Sequence, residues 1–206
     1  MKLYYSPGAC SLGIHVLLEE IGRPFEAVLT SVRDGSNRKP EYLALNPKAK
    51  VPALARDDGR VLTEFPAIAV WLARTNPAAG LLSGDPDTEA QALEVMDYVC
   101  ATVHMQGFTR VMRPGNFAPT EADHERVKAR GREIYAEGMD LLERSLAGRD
   151  HAAGSAFSVA DAALIFAENW APRADYVLPP NLAGHFERMK ARPAVRRAFA
   201  AEGLAL

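Results

Sequence analysis

Cys10 is the residue whose type and position most directly suggest chemistry. It lies in the stretch 4–12, Tyr-Tyr-Ser-Pro-Gly-Ala-Cys-Ser-Leu, which has the pattern of a strand end, a tight turn and the start of a helix. A helix N-terminus offers unpaired N–H donors and partial positive charge, and both favour the thiolate, the reactive form of cysteine. The sequence therefore predicts a site that holds a small thiol at this turn. The alternative is that Cys10 is a small buried residue of a packed turn, as free cysteines often are.

Composition and charge limit the classes of function. The chain has 206 residues, of which 48% are hydrophobic and 24% charged, as in an ordinary globular protein. Its formal net charge of −2 gives no reason to expect nucleic acid or an anionic membrane as a partner. The two cysteines do not make a disulfide framework, and we find neither a signal-peptide pattern nor a membrane-spanning apolar run. We therefore expect a cytoplasmic protein.

The first 76 residues alternate between strand and helix patterns. Residues 1–5 and 25–32 are expected to form parallel strands around a helix over 10–21, which makes a βαβ unit. Two short apolar runs then flank an Asp-Gly turn, a pattern typical of a hairpin, and a further helix is expected to begin near Pro66. A proline cannot donate to a β-ladder, so Pro52 is expected at a sheet edge or at the first residue of a strand.

Residues 77–87 form the predicted linker, because they are rich in Pro, Gly, Asp and Ser and the pattern changes there. Residues 88–206 show only helical periodicity. Capping-box patterns at Thr120 and Ser158 are expected to open two of the helices. The helix after Ser158 is apolar almost all round, which predicts that it is buried. The sequence thus predicts an α/β domain over 1–76 and an all-α domain after the linker.

Four motifs stand out along the chain: residues 7–12, Asn46-Pro47-Lys48 before 51–54, Leu62-Thr63-Glu64 with Ala67-Ile68, and 157–162. In order and in spacing they resemble those of the glutathione S-transferase family, and the resemblance covers essentially the whole chain. The Pro-Gly-Ala-Cys-Ser-Leu turn, together with His104 on the first long helix of the second part, is similar to the bacterial beta class. The resemblance implies a thioredoxin-like N-terminal domain (βαβ-α-ββα) and an α-helical C-terminal domain, assembled as a homodimer.

The resemblance implies that glutathione is the co-substrate, and it indicates where each part of glutathione binds. The cysteinyl backbone would pair with the main chain of Val51 beside a cis Pro52, whereas a trans edge strand is the alternative. The γ-glutamyl carboxylate would lie at the start of the third helix, near Glu64 and Phe65, because a helix N-terminus attracts anions. Lys50 is the basic residue best placed for the glycyl carboxylate.

The catalytic residues implied by the resemblance are Cys10 and His104. The histidine would polarise the sulfur of bound glutathione or hold a water near it, and its alternative is a core residue of the helix. The hydroxyl of Ser11 is a further candidate for activating the thiol. Tyr4 and Tyr5 are a reserve hypothesis, because other classes of the family use an N-terminal tyrosine for this purpose.

The second domain supplies the remaining implied assignments. Asp97 of the partner subunit would reach the cationic γ-glutamyl amine, with a solvated surface acid as the alternative. The electrophile pocket is expected around Gly107, Phe108, Val111 and Met112. The remaining histidines show no metal-ligand spacing, so no metal is expected.

The pair Phe65-Pro66 departs from the family pattern, in which a small residue commonly follows the glutamate. Phe65 supplies no hydroxyl or carboxylate and Pro66 has no N–H, so we expect weaker or differently oriented glutathione binding. The implied function is detoxification by a glutathione transferase, whose thiolate attacks small electrophiles or exchanges with disulfides. The alternatives are a non-catalytic member that binds apolar ligands or a protein, and a glutathione-dependent isomerase or dehalogenase.

Overall fold

The computed structural model describes residues 1–206, which divide into two compact units. Unit 1 comprises Met1–Ser83 and Met189–Leu206, and unit 2 comprises Gly84–Arg188. The prediction assigned all of 88–206 to one helical domain. The structure differs, since the C-terminal segment packs within the first unit.

Packing of the last helix against the first places the C-terminal segment in unit 1. Helix α9 (Pro193–Ala201) packs against α1 (Ser11–Ile21). Arg192 Nε donates to Glu20 Oε1 at 2.7 Å, which adds a charged contact to this helix pair. Helical periodicity shows that a segment is a helix, but it does not show which unit the helix packs against.

A four-stranded mixed sheet with the order β2-β1-β3-β4 forms the centre of unit 1. Strand β1 (Lys2–Tyr5) runs parallel to β2 (Glu26–Leu29) and antiparallel to β3 (Ala53–Ala55). Strand β4 (Val61–Thr63) closes the hairpin with β3. The predicted βαβ unit and hairpin are both confirmed, and the sheet with its helices gives the thioredoxin-like domain that the resemblance implied.

The helices of unit 1 begin and end where the local sequence predicts. Gly22 ends α1 because it adopts a left-handed φ of 72°, which lets its N–H bond to the Leu18 carbonyl at 3.1 Å. Proline occupies the first position of α2 (Pro40–Leu45) and the second of α3 (Phe65–Thr75). Its fixed φ and its missing N–H suit both positions, because no intrahelical bond is lost there.

Unit 2 is entirely helical, and none of the helices in the chain is both long and apolar enough to cross a membrane. Its first long helix is continuous, but a π-helical stretch over Val99–Phe108 interrupts the regular α-helical turns. The helices are α4 (Pro86–Tyr98), α5 (Thr109–Met112), α6 (His124–Ser145), α7 (Val159–Trp170) and α8 (Pro180–Ala191), of which the last residues, from Met189, belong to unit 1.

The two predicted capping boxes have different outcomes. At Ser158 the box forms, since the Ser158 N–H donates to Asp161 Oδ2 at 2.7 Å and the serine Oγ accepts from the Ala160 N–H at 3.2 Å. At Thr120 the prediction is wrong, because the threonine hydroxyl donates to Asp123 Oδ2 at 2.7 Å and α6 begins only at His124. Helix α7 is buried at every position except Asn169, as its apolar sequence predicts.

Glycine allows α6 to pack very closely against the preceding helix. A Cβ added to Gly131 would lie 2.7 Å from Arg110 Cβ and 2.9 Å from the Gly107 carbonyl oxygen. A Cβ added to Gly138 would lie 2.8 Å from Val103 Cγ2. These positions therefore exclude any larger side chain without a shift of one helix against the other.

Candidate active site

Cys10 stands at the N-terminus of α1, as predicted, and is buried in the structure. Its Sγ donates a hydrogen bond to the Val51 carbonyl oxygen at 3.5 Å. The Val51–Pro52 peptide bond is cis, and the chain continues from it directly into β3. The fold of unit 1 therefore brings together the cysteine and the Val-Pro dipeptide, which are far apart in the sequence.

The pKa of Cys10 does not follow the sequence argument. Burial raises the pKa of this thiol from its ordinary 9.0 to about 12, although the backbone N–H groups of Cys10 and Ser11 oppose the rise. Lys50 also lowers the pKa and Glu64 raises it, so both charges act on the sulfur. The sequence argument favoured the thiolate, but removal from water opposes ionisation here and outweighs the helix N-terminus. Burial thus favours the protonated thiol of Cys10 over the thiolate.

A buried carboxylate from the C-terminal segment holds the turn that carries Cys10. Glu202 Oε2 accepts a hydrogen bond from the Gly8 N–H at 2.8 Å, and Glu202 Oε1 lies 2.9 Å from His15 Nδ1. The side chains of Glu202 and His15 are almost entirely buried. Sequence reasoning missed Glu202, since nothing local marks a glutamate beyond the last helix as a partner of the first turn.

Of the hydroxyl candidates near Cys10, Ser11 is hydrogen-bonded within unit 1, and the rings of Tyr4 and Tyr5 pack there. Ser11 Oγ accepts from the Ser6 N–H at 3.1 Å and donates to the Ser6 carbonyl at 3.3 Å, which closes the turn. The Tyr5 ring packs 5.5 Å from the ring of His15. The Tyr4 ring lies 5.6 Å from that of Tyr42. Their positions indicate packing and turn formation for these three side chains.

Glu64 lies at the N-terminus of α3, where the resemblance placed the γ-glutamyl group. Its backbone has a positive φ of 70°, and its side chain does not cap the helix. The carboxylate instead accepts a hydrogen bond from Lys48 Nζ at 2.8 Å. Phe65, which follows, is only 5% exposed. Lys50 is exposed, and its carbonyl accepts from Asn46 Nδ2 at 2.8 Å, which fixes the backbone just before Val51.

His104 and Asp97 lie in unit 2. His104 belongs to the π-helical stretch, is half-buried, and packs 4.8 Å from the ring of Trp170 and 5.9 Å from that of Phe166. Asp97 is exposed near the end of α4. Seven residues separate Asp97 from His104, a spacing that places two side chains on one face of a regular α-helix. The wider π turns between them change that spacing.

The residues expected to form the electrophile pocket mostly serve packing. Gly107, Phe108 and Val111 are buried, and only Met112 is exposed, at 49%. Phe108 stacks on the ring of Trp170 with a centroid distance of 4.2 Å. Unit 2 contains a cavity of about 600 Å³, but none of the four expected residues lines it. The cavity is lined by Glu168, Asn169, Ala171, Pro172, Asp175, Tyr176, Val177, Leu178 and Phe186.

A buried histidine joins two carboxylates of α7. His185 Nε2 lies 3.0 Å from Asp161 Oδ1, and His185 Nδ1 lies 2.8 Å from Glu168 Oε1. Burial alone would lower the pKa of His185, but the two carboxylates together raise the pKa to about 9. The cluster is a buried ion-pair network. No group of three or more His, Cys, Asp or Glu residues in the chain is arranged to hold a metal ion.

Comparisons with known proteins agree with this architecture. Residues 8–75 match the family model described as glutathione S-transferase, N-terminal domain, and residues 99–193 match the C-terminal domain model. Glutathione S-transferase GstA of Escherichia coli O157:H7 is 34% identical over 99% of this chain and 100% of that protein. A solved sphingomonad glutathione S-transferase complexed with glutathione is 38% identical, with both chains fully covered and a TM-score of 0.86. A bacterial beta class glutathione S-transferase of Sphingomonas chungbukensis is 34% identical over 100% of both chains, also with a TM-score of 0.86. The chain therefore belongs to the glutathione S-transferase family.

Proposed function

We propose that this protein is a glutathione transferase that conjugates the thiolate of glutathione to small electrophiles. One observation carries the proposal: Cys10 Sγ, at the N-terminus of α1, is hydrogen-bonded to the Val51 carbonyl oxygen at 3.5 Å. This carbonyl belongs to the cis Val51–Pro52 peptide bond. A peptide that pairs with Val51 as an added strand would bring its cysteine to this helix end. The glutathione bound to the sphingomonad relative supports the choice of peptide.

The proposed mechanism uses the N-terminus of α1 to stabilise the thiolate of bound glutathione. Backbone N–H groups at the start of a helix favour an anion there. Because its own pKa is raised to about 12, Cys10 acts as a hydrogen-bond donor to the glutathione sulfur rather than as the nucleophile. Lys50 binds the glycyl carboxylate, and Glu64 with the backbone of Phe65 binds the γ-glutamyl end.

The proposal extends to assembly, location and role. We expect a cytoplasmic homodimer that detoxifies electrophiles, in which Asp97 of the partner subunit meets the γ-glutamyl amine and His104 acts near the sulfur. The absence of a disulfide between Cys10 and Cys100 supports a reducing compartment, and the near-neutral net charge of −2 supports a small-molecule substrate. Glutathione is the co-substrate, and no step requires a metal.

Thiol–disulfide exchange is the second candidate, because Cys10 lies where the glutathione sulfur would bind. Such exchange begins with attack by a thiolate, so the raised pKa of Cys10 disfavours it at neutral pH. Cys10→Ser keeps a hydroxyl donor but removes the sulfur, and it therefore separates the two reactions.

The test is an assay of an aryl chloride electrophile with and without glutathione, on the wild type and on Cys10→Ser. We expect glutathione-dependent conjugation in both proteins, with a loss of less than about tenfold in the variant, since one neutral hydrogen bond changes. Mass spectrometry after incubation with oxidised glutathione reports the mixed disulfide, which only the wild type can form at residue 10. A wild type that neither binds glutathione by calorimetry nor conjugates any of a panel of electrophiles contradicts the proposal.

A further inference from the structure

Lys48 makes a contact at the start of α3 that the proposed mechanism does not yet use. Its Nζ donates to Glu64 Oε1 at 2.8 Å and to Thr63 Oγ1 at 2.9 Å. The side chains of Lys48 and Glu64 are 51% and 55% exposed, so the ion pair is open to solvent and to a ligand. Only one oxygen of the Glu64 carboxylate is engaged by the chain.

The start of α3 has fewer hydrogen-bond donors for an anion than most helix N-termini have. Pro66 has no N–H, so one of the donors that usually point out of the first turn is missing. Phe65 carries no hydroxyl and its side chain is buried. A carboxylate that binds here therefore needs a positive charge from another element.

The γ-glutamyl end of glutathione is a zwitterion, with an α-ammonium and an α-carboxylate on the same carbon. Glu64 is suited to the ammonium but repels the carboxylate. The positive φ of Glu64 and the absence of a side-chain cap leave its carboxylate beside the helix end, next to the Lys48 ammonium. The two side chains thus present opposite charges side by side, which is the complement of the zwitterion.

We propose that Lys48 is a glutathione-binding residue, whose ammonium receives the α-carboxylate of the γ-glutamyl group while Glu64 receives the α-ammonium. This inference rests on the proposed function, because it takes glutathione as the ligand. The ammonium of Lys48 compensates for the N–H donor that Pro66 lacks and for the hydroxyl that Phe65 lacks at the start of α3. Exposed ion pairs contribute little to folding, so replacing Lys48 changes binding far more than stability.

The test compares two ligands by isothermal titration calorimetry at low ionic strength. Glutathione carries both charged groups, whereas 4-aminobutanoyl-cysteinylglycine is the same peptide without the α-carboxylate. For Lys48→Met we expect glutathione to bind about 5- to 20-fold more weakly, because one charge-assisted hydrogen bond is lost and the half-exposed position of the lysine reduces the effect. The analogue is expected to bind the variant as tightly as the wild type or more tightly, because the ammonium–ammonium repulsion is gone. Lys48→Arg should restore glutathione binding to within about threefold, since it keeps the charge.

Lys2 offers a matched control. Its Nζ lies 2.8 Å from Glu26 Oε2, and the two side chains are 52% and 59% exposed, so the pair has nearly the geometry and exposure of Lys48–Glu64. Lys2→Met should leave the affinity for both ligands unchanged. Loss of affinity for both ligands alike in Lys48→Met, or for neither, overturns the role of Lys48 and leaves the transferase proposal standing. A wild type that binds no glutathione overturns both.

Discussion

The reactivity of Cys10 is the property in which local and tertiary effects oppose each other most directly. Burial raises the pKa of the thiol from 9.0 to about 12. Each pH unit below a pKa lowers the thiolate fraction tenfold, so only about one Cys10 in a hundred thousand is ionised at pH 7. In the unfolded chain the fraction is about a thousandfold larger. Because iodoacetamide reacts with the thiolate, we expect native Cys10 to be alkylated about a thousandfold more slowly than the denatured residue.

The assay uses the Cys100→Ser variant, so that Cys10 is the only thiol. Alkylation is stopped at intervals between pH 6 and about 10, and the modified peptide is quantified by mass spectrometry, natively and in urea. The native rate should rise steeply with pH and show no plateau near neutrality. A plateau below about pH 8, or a native rate above the denatured one, would refute the reasoning and show that the helix N-terminus outweighs burial. Since the raised pKa belongs to a group that is neutral when protonated, its contribution to stability is present below pH 9 and is lost as the pH rises towards 12.

Three further predictions concern stability. Replacing Glu202 by Ala removes the carboxylate that accepts from the buried Gly8 N–H at 2.8 Å, and it should lower the free energy of unfolding by about 1–3 kcal/mol in urea titrations. An unchanged midpoint would contradict the role of this contact. Gly131→Ala should lower the free energy of unfolding by about 1–3 kcal/mol, because the added Cβ would lie 2.7 Å from a neighbouring side chain. Gly84→Ala is the control and should not destabilise the protein, because nothing lies within 4 Å of its added Cβ. Ala49→Gly should stabilise by about 0.5–1 kcal/mol, since Ala49 adopts a left-handed φ of 54° whose cost exceeds the extra chain entropy of glycine; a lower melting temperature would argue against this.

The sequence by itself determined the features that depend on neighbouring residues. The left-handed turn at Gly22, the capping box at Ser158 and the buried α7 all follow from side-chain chemistry and periodicity within a few positions. The position of Cys10 at the start of α1 follows in the same way, as does the hairpin after β3. The motif resemblance added the cis Pro52, which no local propensity alone requires.

Only the tertiary structure decided the properties that depend on what packs around a residue. The pKa of Cys10 is set by burial against Val51, which periodicity does not reveal. Glu202 reaches Gly8 across nearly the whole length of the chain, and Lys48 meets Glu64 through the hairpin, so neither contact leaves a local pattern. The helices and strands follow from short-range propensity, because it depends on residues close in the sequence. The pKa values and ion pairs of the site depend on burial and on charges brought close in space, so only the folded structure reveals them.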